Sequence, residues 1–225
     1  MNSAFKIKIY LLLLAIGISS SNISMAQNKG LDAIENLQSF VAAAKKEKWK
    51  TRKQKDGVTI SYRDLQLFDT INTRELMLKL TISGTIDSIV AQIKQPGNLT
   101  FWNEGIRKAT LLRDHKDNWI LHTVYKVPWP FAQQDIVAFY SIEQRKDTIV
   151  IFSKSLPNFI KPIKGSTREG YNLTQWLIIS KSNKLFEIKF SAISITNSSI
   201  PRWIKDPMIR RMLRKSFLRF KNRLL

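Results

Sequence analysis

Cysteine is absent from this chain, and histidine occurs only twice in 225 residues. The absence of cysteine excludes disulfides, thiol nucleophiles, cysteine-ligated metals and a lipid-modified N-terminal cysteine. His115 lies in a charged turn and His122 in a predicted strand, and their separation does not match the spacing of paired metal ligands. We therefore predict structural or solvent-facing histidines; the alternative is that His122 lines a ligand cavity.

Acidic residues are also scarce, with 17 Asp and Glu against 37 Lys and Arg. Five aspartates occupy turn-like positions, where aspartate is a common turn former: Asp56, Asp69, Asp114, Asp117 and Asp147. No pair of carboxylates stands out for acid–base catalysis, and the chain contains neither a phosphate-binding loop nor a dinucleotide fingerprint. The residues thus predict no catalytic centre, no metal and no cofactor.

No apolar run is long enough to cross a bilayer, but one run near the N-terminus has the features of an export signal. Lys6 and Lys8 precede Ile9 to Ile18, a run too short for a hydrocarbon core of roughly 30 Å. Small residues at both cleavage positions follow in Ser24-Met25-Ala26. We predict a signal peptide over residues 1–26; the alternative is an uncleaved anchor.

Cleavage before Gln27 would leave one domain, residues 27–225, in the periplasm or the medium. The whole chain carries a formal net charge of +20, and removing Lys6 and Lys8 leaves +18. A protein this basic is attracted to anionic surfaces. Export makes membranes more available than nucleic acid, and basic residues are not interleaved with aromatic ones as on single-strand platforms. We expect an anionic membrane and no nucleic acid as partner; binding to an acidic polymer or nucleic acid is the alternative.

Apolar periodicity predicts helices at both ends of the mature chain and strands between them. Residues 27–48 have the spacing of an amphipathic helix, and a basic turn follows that ends at Asp56-Gly57. Thr85 can cap a short helix at 86–93 that ends before Pro96-Gly97. Strands are predicted at 58–62, 76–82, 106–113, 118–127, 135–143, 147–154, 171–180 and 184–193. Most separators are too short for parallel crossovers, so we expect antiparallel neighbours, with a longer loop at 155–170.

The chain closes with a predicted helix in which Asp206 is the N-cap and Pro207 the first residue. Its apolar stripe consists of Ile209, Leu213, Phe217, Phe220 and Leu224. The element order predicts an α+β fold, in which a curved antiparallel sheet wraps around this long helix and leaves an internal cavity.

From about Trp49 to the end, the sequence resembles the START (steroidogenic-acute-regulatory-related lipid transfer) domains. The matching blocks are residues 56–63 (DGVTISYR), 101–104 (FWNE), 125–130 (YKVPWP), 134–137 (QDIV) and 199–204 (SIPRWI). The resemblance implies a helix-grip fold, a cavity that holds a lipid or another hydrophobic molecule, and no cofactor. We expect a monomer that binds and transfers such a ligand.

The chain also departs from the family. The family often has Arg-Asp where this chain has Gln134-Asp135. Some members carry a buried carboxylate–arginine pair on central strands, where this chain offers His122 and Tyr140. Because an unpaired buried charge is costly, this difference predicts a cavity that uses neutral hydrogen bonds.

Aromatic residues on the predicted strands are the candidate ligand contacts, because a lipid site is mostly apolar with a few polar groups. Together with the histidine, the predicted cavity wall comprises Trp102, His122, Tyr125, Trp129, Tyr140, Tyr171 and Trp176. The alternative for each aromatic residue is a packed core. A cyclase or hydratase on the same fold is the enzymatic alternative, and it would need His122 as general base.

The last helix combines its apolar stripe with a strongly basic face. Residues 202–225 contain nine Lys or Arg and a single acid, Asp206, for a net of +8. A basic amphipathic helix suits anionic membranes, whereas the alternative is a solvated helix back. The predicted docking residues are Arg210, Arg211, Arg214, Lys215 and Arg219.

Overall fold

The computed structural model describes residues 37–67, 71–127, 132–195 and 202–224. The predicted signal peptide and Trp129 lie outside the described residues. Within the described part, no helix combines the length and apolarity needed to cross a membrane.

Eleven strands and four helices make up the described fold. The strands are β1 (Lys45–Lys46), β2 (Lys50–Lys55), β3 (Val58–Leu67), β4 (Ile71–Ser83), β5 (Ile106–Asp114), β6 (Asn118–Tyr125), β7 (Gln133–Arg145), β8 (Thr148–Ser155), β9 (Ser166–Arg168), β10 (Tyr171–Ser182) and β11 (Leu185–Ile195). The helices are α1 (Leu37–Ala43), α2 (Ile86–Lys94), α3 (Pro96–Trp102) and α4 (Arg202–Arg223).

All strands join one curved, unclosed sheet, as the alternating sequence predicted. The main order is β1-β3-β4-β11-β10-β8-β7-β6-β5, while β2 pairs with β3 and β9 with β7. Every pairing is antiparallel except β7 with β9. The β2–β3 hairpin turns at Asp56 and Gly57, which both have positive φ, 57° and 74°; this pair of residues suits a type I′ turn.

Helix α2 begins and ends close to where the sequence signals predicted. The Thr85 hydroxyl accepts a hydrogen bond from the Ser88 amide, and the Ser88 hydroxyl accepts one from the Thr85 amide, forming a capping box at α2. Helix α2 ends at Lys94, and Pro96 is then the first residue of α3. A proline at this position costs no hydrogen bond, because first-turn amides have no partner within the helix.

Helix α4 begins at Arg202, five residues before the predicted first residue Pro207. Asp206 and Pro207 were predicted as N-cap and first residue, but both lie inside the helix. Asp206 instead pairs with Arg74 of β4, and Pro207 is exposed. The proline removes one helical hydrogen bond, and this loss does not end the helix.

Three other predicted boundaries were wrong. Of the predicted helix 27–48, the structure describes residues 37–48, and only α1 is helical there. Lys45 and Lys46 instead form β1 and pair with Gln66 and Leu65 of β3. The predicted basic turn before Asp56 is strand β2. The loop 155–170 contains β9, three residues that pair parallel to the start of β7.

The sheet buries residues on both faces, in two separate clusters. Most of the core lies on the face covered by α2, α3 and α4, which we call the inner face; examples are Leu78, Trp176 and Phe217. A smaller cluster around Leu65, Leu173 and Ile193 lies on the opposite, outer face and includes Ala44 just after α1. Side chains alternate between the two faces along each strand, so the face of any strand residue follows from its neighbours.

Candidate functional site

An aromatic cluster occupies the centre of the inner face. Trp176 of β10 has its ring centroid 4.8 Å from Phe190 of β11 and 5.2 Å from Phe217 of α4. Trp102 of α3 lies 5.0 Å from Phe220 of α4 and 6.1 Å from Trp176. These rings meet mostly edge to face or tilted, as aromatic pairs prefer. They anchor the C-terminal half of α4 to the sheet.

Two predicted ligand contacts, Trp102 and Trp176, are therefore brought together in this packed cluster. Both are buried, and the indole N–H of Trp102 donates to the Gln92 carbonyl at 2.8 Å. This bond leaves the Trp102 nitrogen no proton to offer a ligand. Their packing has the features of the core alternative, while a ligand contact through their ring faces stays a prediction.

A row of hydroxyl groups lies next to the aromatic cluster on the inner face. Tyr140 pairs with Ser153 across β7 and β8, and Ser153 with Thr174 across β8 and β10. The Ser153 and Thr174 hydroxyl oxygens are 2.6 Å apart. The Tyr140 ring stacks on Trp119 at 5.2 Å, with 7° between the planes.

Tyr125 and Tyr140 are the two predicted ligand contacts at this row, and both are partly exposed. Burial raises the pKa of the Tyr125 hydroxyl, and it also raises the pKa of Tyr140. Burial disfavours the charged phenolate. Both hydroxyls therefore stay neutral and can each donate and accept a hydrogen bond.

A groove of about 450 Å³ opens between the N-terminal half of α4 and the segments next to β5 and β6. Its volume falls within the range of small-molecule sites. Met208, Met212 and Pro207 supply apolar surface, and the charged lining residues are Glu104, Lys126, Arg211 and Lys215. A Cβ added at Gly105 would lie 2.5 Å from the Met212 sulfur, so a larger residue here would displace the flexible end of the Met212 side chain.

His122 lies on the outer face, away from the aromatic cluster and the hydroxyl row. Its strand neighbour Leu121 belongs to the inner core, and successive side chains point to opposite faces. His122 Nε2 is 2.8 Å from Asp135 Oδ2, and Arg168 Nη2 is 2.7 Å from the same oxygen. The structure thus contains a buried carboxylate–arginine pair, Asp135 with Arg168, which the sequence did not predict. This pair lies on the outer face, not on the inner face where the ligand site was expected.

The Asp135 carboxylate is fully buried and has four hydrogen bonds from three side chains. Burial raises its pKa, but the hydrogen bonds from Arg168, His122 and Ser166 outweigh burial, so the pKa lies below its usual range. The group is therefore ionised at neutral pH and balances the Arg168 charge.

Of the remaining two predicted ligand contacts, Tyr171 lies away from this site. Tyr171 packs with Leu173 and Ile193 in the outer cluster, so the structure separates it from Tyr125 and Tyr140. Trp129 lies outside the described residues, and its position as a ligand contact stays a prediction.

Three of the five predicted docking residues on α4 take part in ion pairs within the fold. Arg214 pairs with Asp56, Arg219 Nη2 lies 2.8 Å from Glu104, and Lys215 Nζ lies 3.7 Å from the same carboxylate. Arg210 and Arg211 form no ion pair with any described residue. The freely available positive charge on this helix is therefore smaller than the sequence suggested.

The sequence interpretation missed several residues that shape the two faces. Ser153 and Thr174 are hydroxyl residues next to apolar stretches of β8 and β10, a pattern that can mark a polar spot in a cavity. Asp135 begins an apolar strand stretch, which can mark a buried ion pair. Arg168 had no signal, because its role depends on β9 reaching β7. Among the described residues, no group of three or more His, Cys, Asp or Glu is placed to hold a metal.

The fold is similar to those of solved START-domain structures. The STAR-related lipid transfer protein from Xanthomonas axonopodis matches with a TM-score of 0.70 and 16% identity, covering 79% of this chain and 99% of that chain. Human StAR-related lipid transfer protein 5 matches with a TM-score of 0.66 and 13% identity, covering 92% and 97%. The chain therefore has the helix-grip START fold, which confirms the predicted fold class.

In sequence, the chain is 23% identical over 164 residues to PA1579, an uncharacterized protein of Pseudomonas aeruginosa. The matched segment covers 72% of this chain and 80% of that protein. No family model matches the sequence.

Proposed function

We propose that this protein binds a hydrophobic ligand, such as a lipid, between α4 and the inner face of the sheet, and that it transfers this ligand between membranes. The observation that carries the proposal is the groove beside the N-terminal half of α4, in a fold shared with lipid transfer proteins. Ligand burial supplies the driving force, because each CH₂ removed from water contributes about 0.8 kcal/mol.

The hydroxyl row suits the polar end of such a ligand. Tyr140, Ser153 and Thr174 offer neutral donors and acceptors beside apolar surface, which matches the composition of small-molecule sites. The row lies between the aromatic cluster and the Arg74–Asp206 ion pair that fastens the start of α4. Ligand entry would require the N-terminal half of α4, or the segment 155–170, to move while the aromatic cluster holds the other half.

We propose binding without catalysis. His122 is the candidate general base of the enzymatic alternative, and its Nε2 is occupied by Asp135 on the outer face. A general base must come within hydrogen-bond reach of the proton that it removes. This placement supports a carrier and gives the enzymatic alternative no described histidine on the inner face.

Mass spectrometry of the protein purified from its producing cell tests both the ligand and the proposed export. Under native conditions the spectrum should show an added mass of a hydrophobic compound, which organic extraction releases. Under denaturing conditions the intact mass should correspond to a chain beginning at Gln27. A ligand-free protein that also takes up no lipid from added vesicles would contradict the carrier, and a full-length Met1 product would contradict export.

We also propose that the basic face of α4 helps to dock the protein on anionic membranes. Of the five predicted docking residues, Arg210 and Arg211 are the two that form no ion pair with any described residue. Reversing both to glutamate should weaken co-sedimentation with anionic vesicles several-fold at low salt, because each nearby cation contributes about 1 kcal/mol. Wild-type binding should also weaken with salt, since screening acts over about 8–10 Å.

A matched control separates docking from overall charge. Reversing Lys116 and Lys146, two exposed residues in the turns at the ends of β6 and β7 farther from the groove, changes the net charge by the same amount. If both double variants bind vesicles equally well, the basic face of α4 is only a solubilising surface.

A further inference from the structure

The segment Leu156–Gly165, which joins β8 to β9, exposes an apolar and basic surface. We call this segment the platform. Phe159 is 39% exposed and Ile163 is 43% exposed, and both Lys161 and Lys164 are exposed beside them. No acidic residue occurs anywhere from 148 to 168. An anionic surface would therefore meet no like charge from the segment itself.

The platform is held on the sheet by buried charges. The Arg168 guanidinium donates to the Pro157 carbonyl at 2.8 Å and to the Ile160 carbonyl at 3.1 Å. The same guanidinium donates to the buried Asp135 carboxylate at 3.0 and 2.7 Å. His122 holds this carboxylate from the other side. One buried ion pair thus connects the platform backbone to strands β6 and β7.

Further hydrogen bonds fix both ends of the platform. The Leu156 amide donates to the Val137 carbonyl at 2.7 Å, and the Ser166 amide donates to the Ile163 carbonyl at 3.1 Å. The Ser166 hydroxyl donates to Asp135 Oδ1 at 3.1 Å. The two apolar side chains are therefore presented on an ordered backbone, and binding would require little additional ordering of the chain.

The chemistry of the platform fits the headgroup region of a bilayer. Phenylalanine and isoleucine insert into the boundary between headgroups and acyl chains, while lysines attract anionic lipids. We propose that the platform is a membrane contact of its own, specific for anionic bilayers and separate from α4. This inference extends the proposed docking and does not depend on which ligand the inner face binds.

Co-sedimentation with vesicles of phosphatidylglycerol and phosphatidylcholine in equal amounts tests the platform. The double variant Phe159→Ser with Ile163→Ser should bind about tenfold less than wild type, because its apolar contacts with the bilayer are lost. The matched control is Ile86→Ser with Leu185→Ser, whose side chains are 39% and 37% exposed. Leu185 comes just after Ser182, at the end of β10 that is farther from the platform. This control should bind vesicles as wild type does.

A second variant removes only charge. Lys161→Gln with Lys164→Gln should weaken vesicle binding and flatten its dependence on salt. Because both lysines are exposed, this variant tests the platform even if the apolar variant does not fold. Native mass spectra of each variant should still show the ligand, which separates a failed platform from a failed carrier. Wild-type vesicle binding by both platform variants would overturn the proposal.

Discussion

Replacing Phe220 with alanine should lower the free energy of unfolding by about 3–5 kcal/mol. The Phe220 ring is fully buried and lies 5.0 Å from Trp102 and 5.6 Å from Trp176. Truncation removes apolar surface from the core and leaves a cavity that its rigid aromatic neighbours cannot fill. Because the cluster joins α3, α4 and two strands, the loss acts on the whole inner core.

Phe101 provides the matched control for this variant. Phe101 is 57% exposed, and its ring lies 4.8 Å from the Arg223 guanidinium. Truncation to alanine should cost no more than about 1 kcal/mol, through the loss of an exposed cation–π contact. Urea unfolding followed by circular dichroism measures both variants. Equal stability losses at Phe101 and Phe220 would show that the aromatic cluster is not the anchor of α4.

Replacing Asp135 with asparagine should cost about 3–5 kcal/mol of stability at neutral pH. The substitution keeps the shape of the side chain but leaves the buried Arg168 charge without its carboxylate. Glu143→Gln is the control, because Glu143 and Arg145 form an ion pair at the exposed end of β7. This control should leave the urea midpoint unchanged, since exposed ion pairs contribute little.

The same variant predicts a particular pH dependence. Because the folded pKa of Asp135 lies below its unfolded value of about 3.9, its stabilising contribution is present above that value. The contribution is lost as the pH falls through the folded pKa. The stability difference between wild type and Asp135→Asn should therefore shrink in acid. A difference that stays constant down to the folded pKa would exclude an ionised Asp135 as its source.

Local patterns were sufficient to predict most of the fold. Alternating apolar residues in β3 and β4 determined which side chains face the core, and Thr85 determined the start of α2. The long apolar stripe of α4 correctly included Phe217 and Phe220, which are both buried. These features depend on neighbours along the chain, so the sequence carries them directly.

Features that depend on distant contacts could not be predicted in the same way. Asp206 has the chemistry of an N-cap, but its partner is Arg74, which is 132 residues away in sequence. His122 was expected to line the cavity, but it faces the outer side. Residues 119–123 of β6 are all buried, so no alternation of polar and apolar residues shows which face of this strand points inward. A strand buried on both faces has no polar side to orient it.

The candidate site shows the same limit. Tyr125 and Tyr140 were among the seven predicted ligand contacts, and both pack against the core on the inner face. Tyr171 has the same chemistry but faces outward, because it is an odd number of residues from Trp176 along β10. The register of each strand decided which aromatic residues could share a site.

Native mass spectrometry of two phenylalanine variants tests the central claim that the ligand lies on the inner face. Ala192 of β11 pairs with Thr174 of the hydroxyl row and with Leu76 of β4, whereas its neighbour Ser191 faces the other way. Ala192→Phe adds bulk beside the hydroxyl row, which we propose holds the polar end of the ligand, and should abolish the added ligand mass. Ser191→Phe should retain it, with both proteins folded by circular dichroism. Equal ligand occupancy in the two folded variants would contradict a ligand held between α4 and the sheet.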